Sequence, residues 1–374
     1  MQRLGLSGNF IAAFLLIALS IGPAAMIAVE RKAIAASFGT PEWTISLLYA
    51  LFFFGAGFGG LLLEQPIRRY GLRAVLFLGA TGNIVASIAG YYAASIELFL
   101  AAFVLLSLCA APFLTALVAL SSTWLPRFPA LSLAGVTLGQ LVSFWPWEGV
   151  LLWAGGTGSW RGGLLALAVG GAFQFVLVAM LSLSIAGRND RMPEAQRVLD
   201  VWPFAINIFL IVCSATILLL NLKPLELLNG RIGSFGLFGA FSAAALIGRF
   251  LFAGLCDAGH RRVSLVAAFV LITLAFTTFR YAGASTSLLF VATALLGCGY
   301  AGYLPVLIAN VGLSCRGSPQ RNAKSLLVWG NLGIALGAFI SGYLAQTRAV
   351  LLGADIAFAI CVFAAASLWR GLRR

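Results

Sequence analysis

Long apolar runs separated by short polar gaps fill almost the whole chain. They lie near residues 9–29, 43–63, 72–94, 97–122, 129–153, 162–185, 203–222, 231–254, 262–282, 287–312, 324–345 and 350–369. Each is about 20 residues long, enough for an α-helix to cross the hydrocarbon core of a bilayer. Backbone groups in hydrocarbon must be satisfied within the spanning element itself, which leaves helices and closed barrels. A barrel strand would be shorter and would alternate polar with apolar residues, whereas residues 101–120 (AAFVLLSLCAAPFLTALVAL) are apolar on every side. The pattern predicts an all-α integral membrane protein with twelve transmembrane helices. The first run follows Met1-Gln2-Arg3 and is expected to stay as helix 1 rather than leave as a signal peptide.

The chain also repeats itself. Gly71-Leu72-Arg73-Ala74-Val75 matches Gly259-His260-Arg261-Arg262-Val263, 188 positions later, each in a charged gap between apolar runs. The longest hydrophilic stretch, residues 187–200, separates six runs from six. This predicts an N-terminal six-helix bundle over 1–186, a cytoplasmic linker over 187–202 and a C-terminal six-helix bundle over 203–374. Asp190, Glu194 and Asp200 alternate with arginines in the linker, the pattern of a solvated connector rather than of acid/base chemistry.

Composition agrees with the pattern: 61% of residues are hydrophobic and 9% charged, with a mean hydropathy of +1.01. The net charge of +13 would suggest nucleic acid in a soluble chain. Here most Lys and Arg fall in alternate gaps, and the positive-inside bias places both termini in the cytoplasm. Arg68, Arg69, Arg188, Arg191, Arg197, Arg370, Arg373 and Arg374 then sit at anionic lipid headgroups, and no basic run is long enough for a nucleic-acid arm. Six cysteines without a CxxC pair read as small apolar fillers. One histidine, His260, cannot build a zinc or bis-histidine haem site, and no GxxxxGK[ST] exists for a P-loop ATPase. No cofactor is expected, and no grouping of nucleophile, base and carboxylate suggests an enzyme.

Between the second and third runs, Arg69-Tyr70-Gly71-Leu72-Arg73 match the R-x-G-x-R part of G-x-L-x-D-R-x-G-x-R-R, the loop between helices 2 and 3 of the major facilitator superfamily, which this chain resembles. Arg68 stands where the family has its aspartate, with Glu64 one helical turn earlier. In the second half, Gly248-Arg249 through Gly254, Asp257, Gly259, Arg261 and Arg262 are similar to the family's GR-x-x-x-G-x-x-x-D-R-x-G-R-R with one residue deleted. Gly158-Ser159-Trp160-Arg161 resembles the G-W-R element after helix 5. Phe38-Gly39-Thr40-Pro41-Glu42-Trp43 and Gly135-x-x-x-Gly139 are similar to the oxalate/formate and monocarboxylate branch. The resemblance implies two halves that rock around a site near the bilayer midplane, with helices 1, 4, 7 and 10 lining the cavity and contributions from 2, 5, 8 and 11.

A carboxylate at the end of one helix can meet arginines and the positive N-terminus of a neighbouring helix only when one side is closed. Glu64, Arg68, Arg69, Arg73, Arg249, Asp257, Arg261 and Arg262 are therefore the cytoplasmic gate candidates, with Glu64 able to pair with Arg68 four residues on. Arg249 is expected to snorkel out of its helix. Gly55 with Gly59, Gly135 with Gly139 and Gly333 with Gly337 allow close helix approach, and the helix 5 pair is expected where the halves meet. Glu148, beside Trp145 and Trp147, is either interfacial or a proton-coupling group, and Asp355 is expected at the interface.

Polar positions on cavity helices are Ser20, Ser107, Thr115, Gln140, Asn207, Ser214, Thr216, Tyr300, Tyr303, Asn310 and Asn331. Lone Ser and Thr usually bond their own helix. Gln140, Asn207, Tyr300, Tyr303 and Asn331 remain as substrate-binding candidates, with Tyr300 and Tyr303 on one face before Pro305. The expected function is secondary active transport of a small organic solute by a monomer, in a bacterial inner membrane, driven by a solute or proton gradient. The branch favours a small organic anion. An exporter of neutral or apolar compounds, or a non-transporting assembly or sensory protein, stays open.

Overall fold

The computed structural model describes residues 6–121, 124–125, 127–155, 160–181, 201–228, 236–282, 285–315, 319–346 and 350–373. The linker acids, Gly158 and Arg374 lie outside them. The helices are α1 (Leu6–Ser20), α2 (Gly22–Phe38), α3 (Glu42–Leu62), α4 (Glu64–Tyr91), α5 (Ile96–Ala111), α6 (Val118–Ser121), α7 (Pro129–Val142) and α8 (Phe144–Gly155). They continue as α9 (Arg161–Met180), α10 (Trp202–Leu228), α11 (Gly236–Asp257), α12 (Arg261–Ala282), α13 (Thr286–Ser314), α14 (Pro319–Gln346) and α15 (Val350–Arg373).

Among the described residues, eleven segments are long and apolar enough to cross a membrane. The fifth expected run differs: it breaks at Ser143 into α7 and α8, and its apolar helical part, Pro129–Leu141, is too short to span alone. Other breaks have prolines behind them. Pro23 opens α2 immediately after α1, and the two join in one span, Ser7–Ala28. Pro112 begins a π-helical turn, Pro112–Leu117, between α5 and α6. Gly39, at φ 62°, ends α2 in the left-handed conformation, its N–H directed at the carbonyls of Ala35 and Ala36.

Packing follows the repeat. In the first half α1 lies on α7, α3 on α5, and α4 on α5 and α9; in the second, α10 lies on α14, α11 on α13, and α12 on α13 and α15. Two further pairs, α3 with α14 and α7 with α11, join the halves. Both repeat turns carry a left-handed glycine, Gly71 (φ 81°) and Gly259 (φ 98°), a conformation that excludes a Cβ at little cost only for glycine.

Small residues set the helix spacings, though not where the sequence suggested for helix 5. A Cβ at Gly139 would stand 2.5 Å from the Phe14 carbonyl oxygen of α1, inside the same half, and one at Gly135 would meet open space. Gly55 and Gly59 pack on α5, and Gly333 and Gly337 on α10. Across the seam the close approaches are Gly57, where a Cβ would lie 3.2 Å from Asn331 Cβ, and Gly342, where it would lie 2.9 Å from Ser46 Cβ.

Polar side chains inside the bundle bond locally. Ser20, Thr115, Ser214, Thr216 and Asn310 donate to carbonyls of their own helices, while Ser107 reaches Leu51 O on α3. The first half holds a buried amide chain that the sequence reading missed. Asn83 Nδ2 donates to Gln174 Oε1 at 2.8 Å, and Gln174 Nε2 donates to Ser20 Oγ at 2.8 Å and Leu16 O at 3.2 Å. It ties α4, α9 and α1 together. Replacing Gln174 with Leu strands the Asn83 amide and is expected to destabilise the protein by about 1–2 kcal/mol, read as a lower thermal midpoint in detergent. A Gln174→Glu variant keeps the Asn83 acceptor and should lose less of that contact.

Candidate functional site

Helices α7, α10, α11, α13 and α14 enclose a cavity of about 50 Å³ between the two halves, lined in part by Thr137, Gln140, Arg249, Tyr300 and Asn331. That is room for a few waters, well short of the roughly 300–1,000 Å³ of common ligand pockets. A larger groove, about 240 Å³, lies between α3 and α14, but its lining is mostly apolar and aromatic: Trp43, Leu47, Phe339 and Tyr343 with Ser46.

Arg249 dominates the central cavity. It is only 2% exposed, because it sits two helical turns before the end of α11 and α7 covers it. The expectation that it snorkels out of its helix is corrected by this burial. Its Nη2 donates to Thr137 Oγ1 at 2.6 Å across the seam. Its Nε and Nη1 are buried without a hydrogen-bond partner, as is Asn331 Nδ2. Unpaired nitrogens of a buried cation cost several kcal/mol. The cavity thus presents donors in excess of acceptors, and the residues lining it include no Asp or Glu.

Three of the five expected substrate-binding residues, Gln140, Tyr300 and Asn331, line this cavity. The other two do not. The Tyr303 hydroxyl donates to Asn207 Oδ1, and Asn207 Nδ2 donates to Ala364 O at 2.8 Å. Their polar atoms tie α10, α13 and α15 together, so the shared helical face of Tyr300 and Tyr303 does not give them a shared role. The side chain of Glu148, on α8, lies outside the described residues.

The gate candidates divide. Asp257 accepts hydrogen bonds from the backbone N–H groups of Ala130 (3.1 Å) and Leu131 (2.8 Å), the free donors of the α7 N-terminus. Among the described residues no ion pair joins Asp257 to an arginine; Arg261, exposed at the start of α12, acts on it only electrostatically. Arg262 is exposed as well. In the first half Glu64 pairs with Arg68 at 2.9 Å and attracts Lys324 near the start of α14. The Arg69 guanidinium lies 5.2 Å from the Tyr70 ring centre, and Arg73 donates to the Leu181 carbonyl at the end of α9. Among the described residues, of these two acids only Asp257 holds a helix of the opposite half by hydrogen bonds. Trp160 Nε1 donates to Ser37 Oγ at 2.9 Å and Arg161 Nη2 to Ala93 O at 2.9 Å, so this element clamps α9 to α2 and to the turn after α4. Asp355 pairs with Arg280 at 3.2 Å with both side chains about half exposed.

The arrangement of the helices aligns over nearly its full length with solved transporters. A human organic anion transporter, MFSD10 (TETRAN), superposes with a TM-score of 0.74 at 14% identity, covering 98% of this chain and 100% of its own. This chain has the major facilitator fold. The proton:xylose symporter XylE, bound to 6-bromo-6-deoxy-D-glucose, gives 0.73 at 11% identity over 98% and 95%. A mutant of the nucleoside transporter NupG gives 0.66 at 13% identity over 96% and 99%. No protein-family profile and no curated protein sequence matches the chain. Within this major facilitator fold the Asp257 contact has a direct test. Asp257→Asn removes the charge that the α7 N-terminus attracts, worth about 1 kcal/mol. A cysteine placed at Ala130, buried at that contact, should then react several-fold faster with a membrane-impermeant maleimide; an unchanged rate would count against a gating role.

Proposed function

We propose that the protein is a secondary active transporter of small organic anions, working by alternating access of the central cavity to the two sides of the membrane. The observation that carries this reading is Arg249, a buried cation with two unpartnered nitrogens on the cavity between the halves. A planar guanidinium offers carboxylates a bidentate fork, and the Asn331 amide adds a donor. Gln140 and the Tyr300 hydroxyl complete the polar lining. The similarity in fold to an organic anion transporter supports the class.

In this reading the chain crosses the membrane twelve times, with α7 and α8 together making the fifth crossing. Both termini are cytoplasmic, and residues 1–186 and 203–374 form two bundles joined by the linker 187–202. The Asp257 contact then closes the cytoplasmic side. A bacterial inner membrane and a monomer fit the compact loops. Proton coupling, if present, is assigned to Glu148.

The test is uptake into liposomes of a panel of organic acids, sugars, nucleosides and apolar drugs, with and without an imposed pH gradient. Saturable uptake of carboxylates is expected. Arg249→Gln and Arg249→Lys should each lower Vmax/KM by about thirty-fold or more, because neither keeps the fork. Selective uptake of an uncharged class that survives Arg249→Gln would overturn the anion reading in favour of an exporter of neutral or apolar compounds. Loss of pH-driven accumulation in Glu148→Gln, with exchange retained, would identify the coupling group.

A further inference from the structure

We infer that Thr137 is a built-in competitor for the anion: it holds Arg249 across the seam while the cavity is empty and releases it when a carboxylate arrives, so that occupancy loosens α7 from α11. This rests on the reading of Arg249 as the anion anchor.

Two rungs join these helices. Asp257 accepts from Ala130 and Leu131 at one end. Arg249 donates to Thr137 further in. Residue numbers rise on α7 from the first rung to the second and fall on α11, so the helices run antiparallel. Seven residues on α7 place the rungs about 10 Å apart along the axis.

The inner rung is built to be exchanged. The Thr137 hydroxyl hydrogen goes to the Leu133 carbonyl of its own helix, which leaves an oxygen lone pair for Arg249 and no hydrogen to offer a substrate. Nη2 carries one hydrogen on each of the two bidentate edges of the guanidinium; Thr137 occupies one edge, and the exchange concerns a carboxylate that takes that edge. A carboxylate taking that edge displaces a neutral hydroxyl with a charged acceptor, roughly twice as strong a partner. The Thr137 bond is then gone, and of the two hydrogen-bonded rungs described between α7 and α11 only that of Asp257 remains. A transporter needs its closed state to respond to cargo, and a ligand shifts such an equilibrium only through contacts that differ between the states. The Thr137 bond is such a contact.

The experiment uses the full-length protein in liposomes, its six cysteines replaced, with spin labels at Arg127→Cys and His260→Cys, two exposed positions flanking the outer rung. Distances between them are measured by pulsed electron resonance with no ligand, with lactate, with oxalate and with glycerol as a neutral control. Thr137→Val is expected to raise the longer-distance population about ten-fold without ligand, the loss of one hydrogen bond to a charged donor. Lactate or oxalate should shift the wild type the same way and shift Thr137→Val no further, with glycerol inert. Thr137→Ser, which keeps the hydroxyl, should match the wild type and serves as the folded control. In uptake, Thr137→Val should lower KM for the carboxylate. Wild-type distances in unliganded Thr137→Val would overturn the proposal, as would a carboxylate that is taken up yet leaves the wild-type distances unchanged. Widening in Thr137→Val with no response of the wild type to either acid would overturn the anion reading and the coupling while leaving the cross-seam rung in place, so the two failures are distinct.

Discussion

Hydrocarbon offers a polar group no partner, and that constraint shapes each level of this molecule. It forces the backbone into helices, and it turns polar side chains on those helices onto carbonyls of their own or a neighbouring helix or into side-chain chains such as Asn83–Gln174–Ser20. Helices cannot be driven together by exclusion of apolar surface, since lipid is as apolar as they are. Close approach at small residues takes its place, at Gly139 on α1, Gly337 on α10, and Gly57 and Gly342 across the seam. Against this background Arg249 stands out among the buried side chains with unpartnered polar atoms, because it is a cation on the central cavity with two of its nitrogens unanswered.

The two halves are copies that have diverged in their gates. Both keep a left-handed glycine at the repeat turn and the same helix pairings. In the second half Asp257 caps α7. In the first, arginine stands at the corresponding place, and Glu64 is engaged with Arg68 on its own helix. The acid that would hold α14 is therefore partly spent on a neighbour, and an exposed pair of this kind contributes little. In the proposed reading, closure on this side depends chiefly on the α7–α11 seam, the seam that also carries Arg249 and Thr137, so that gate and cargo site would share one helix pair.

Much of this was legible in the amino-acid sequence. The apolar runs announced the helices, since twenty residues without a charge admit no other structure in a bilayer. The 188-residue repeat announced the duplicated packing, and the spacing of Glu64 and Arg68 announced their pair. The split of the fifth run at Ser143 was less visible, because Phe144 to Trp147 is as apolar as what precedes it and hydropathy does not register a change of backbone direction.

What the sequence by itself determined is the class of environment, the helices and the chemistry available, because hydropathy and residue type are properties of the chain. Only the tertiary structure decided how that chemistry is distributed. Tyr300 and Tyr303, three residues apart, serve a cavity and a structural bond, because α10 presents Asn207 to one and α11 presents Arg249 to the other. Arg249 itself reads in sequence as a residue within reach of water. It is buried because α7, more than a hundred residues away, lies over it. Whether a charge is solvated depends on what packs against it, and that is fixed by contacts remote in the chain.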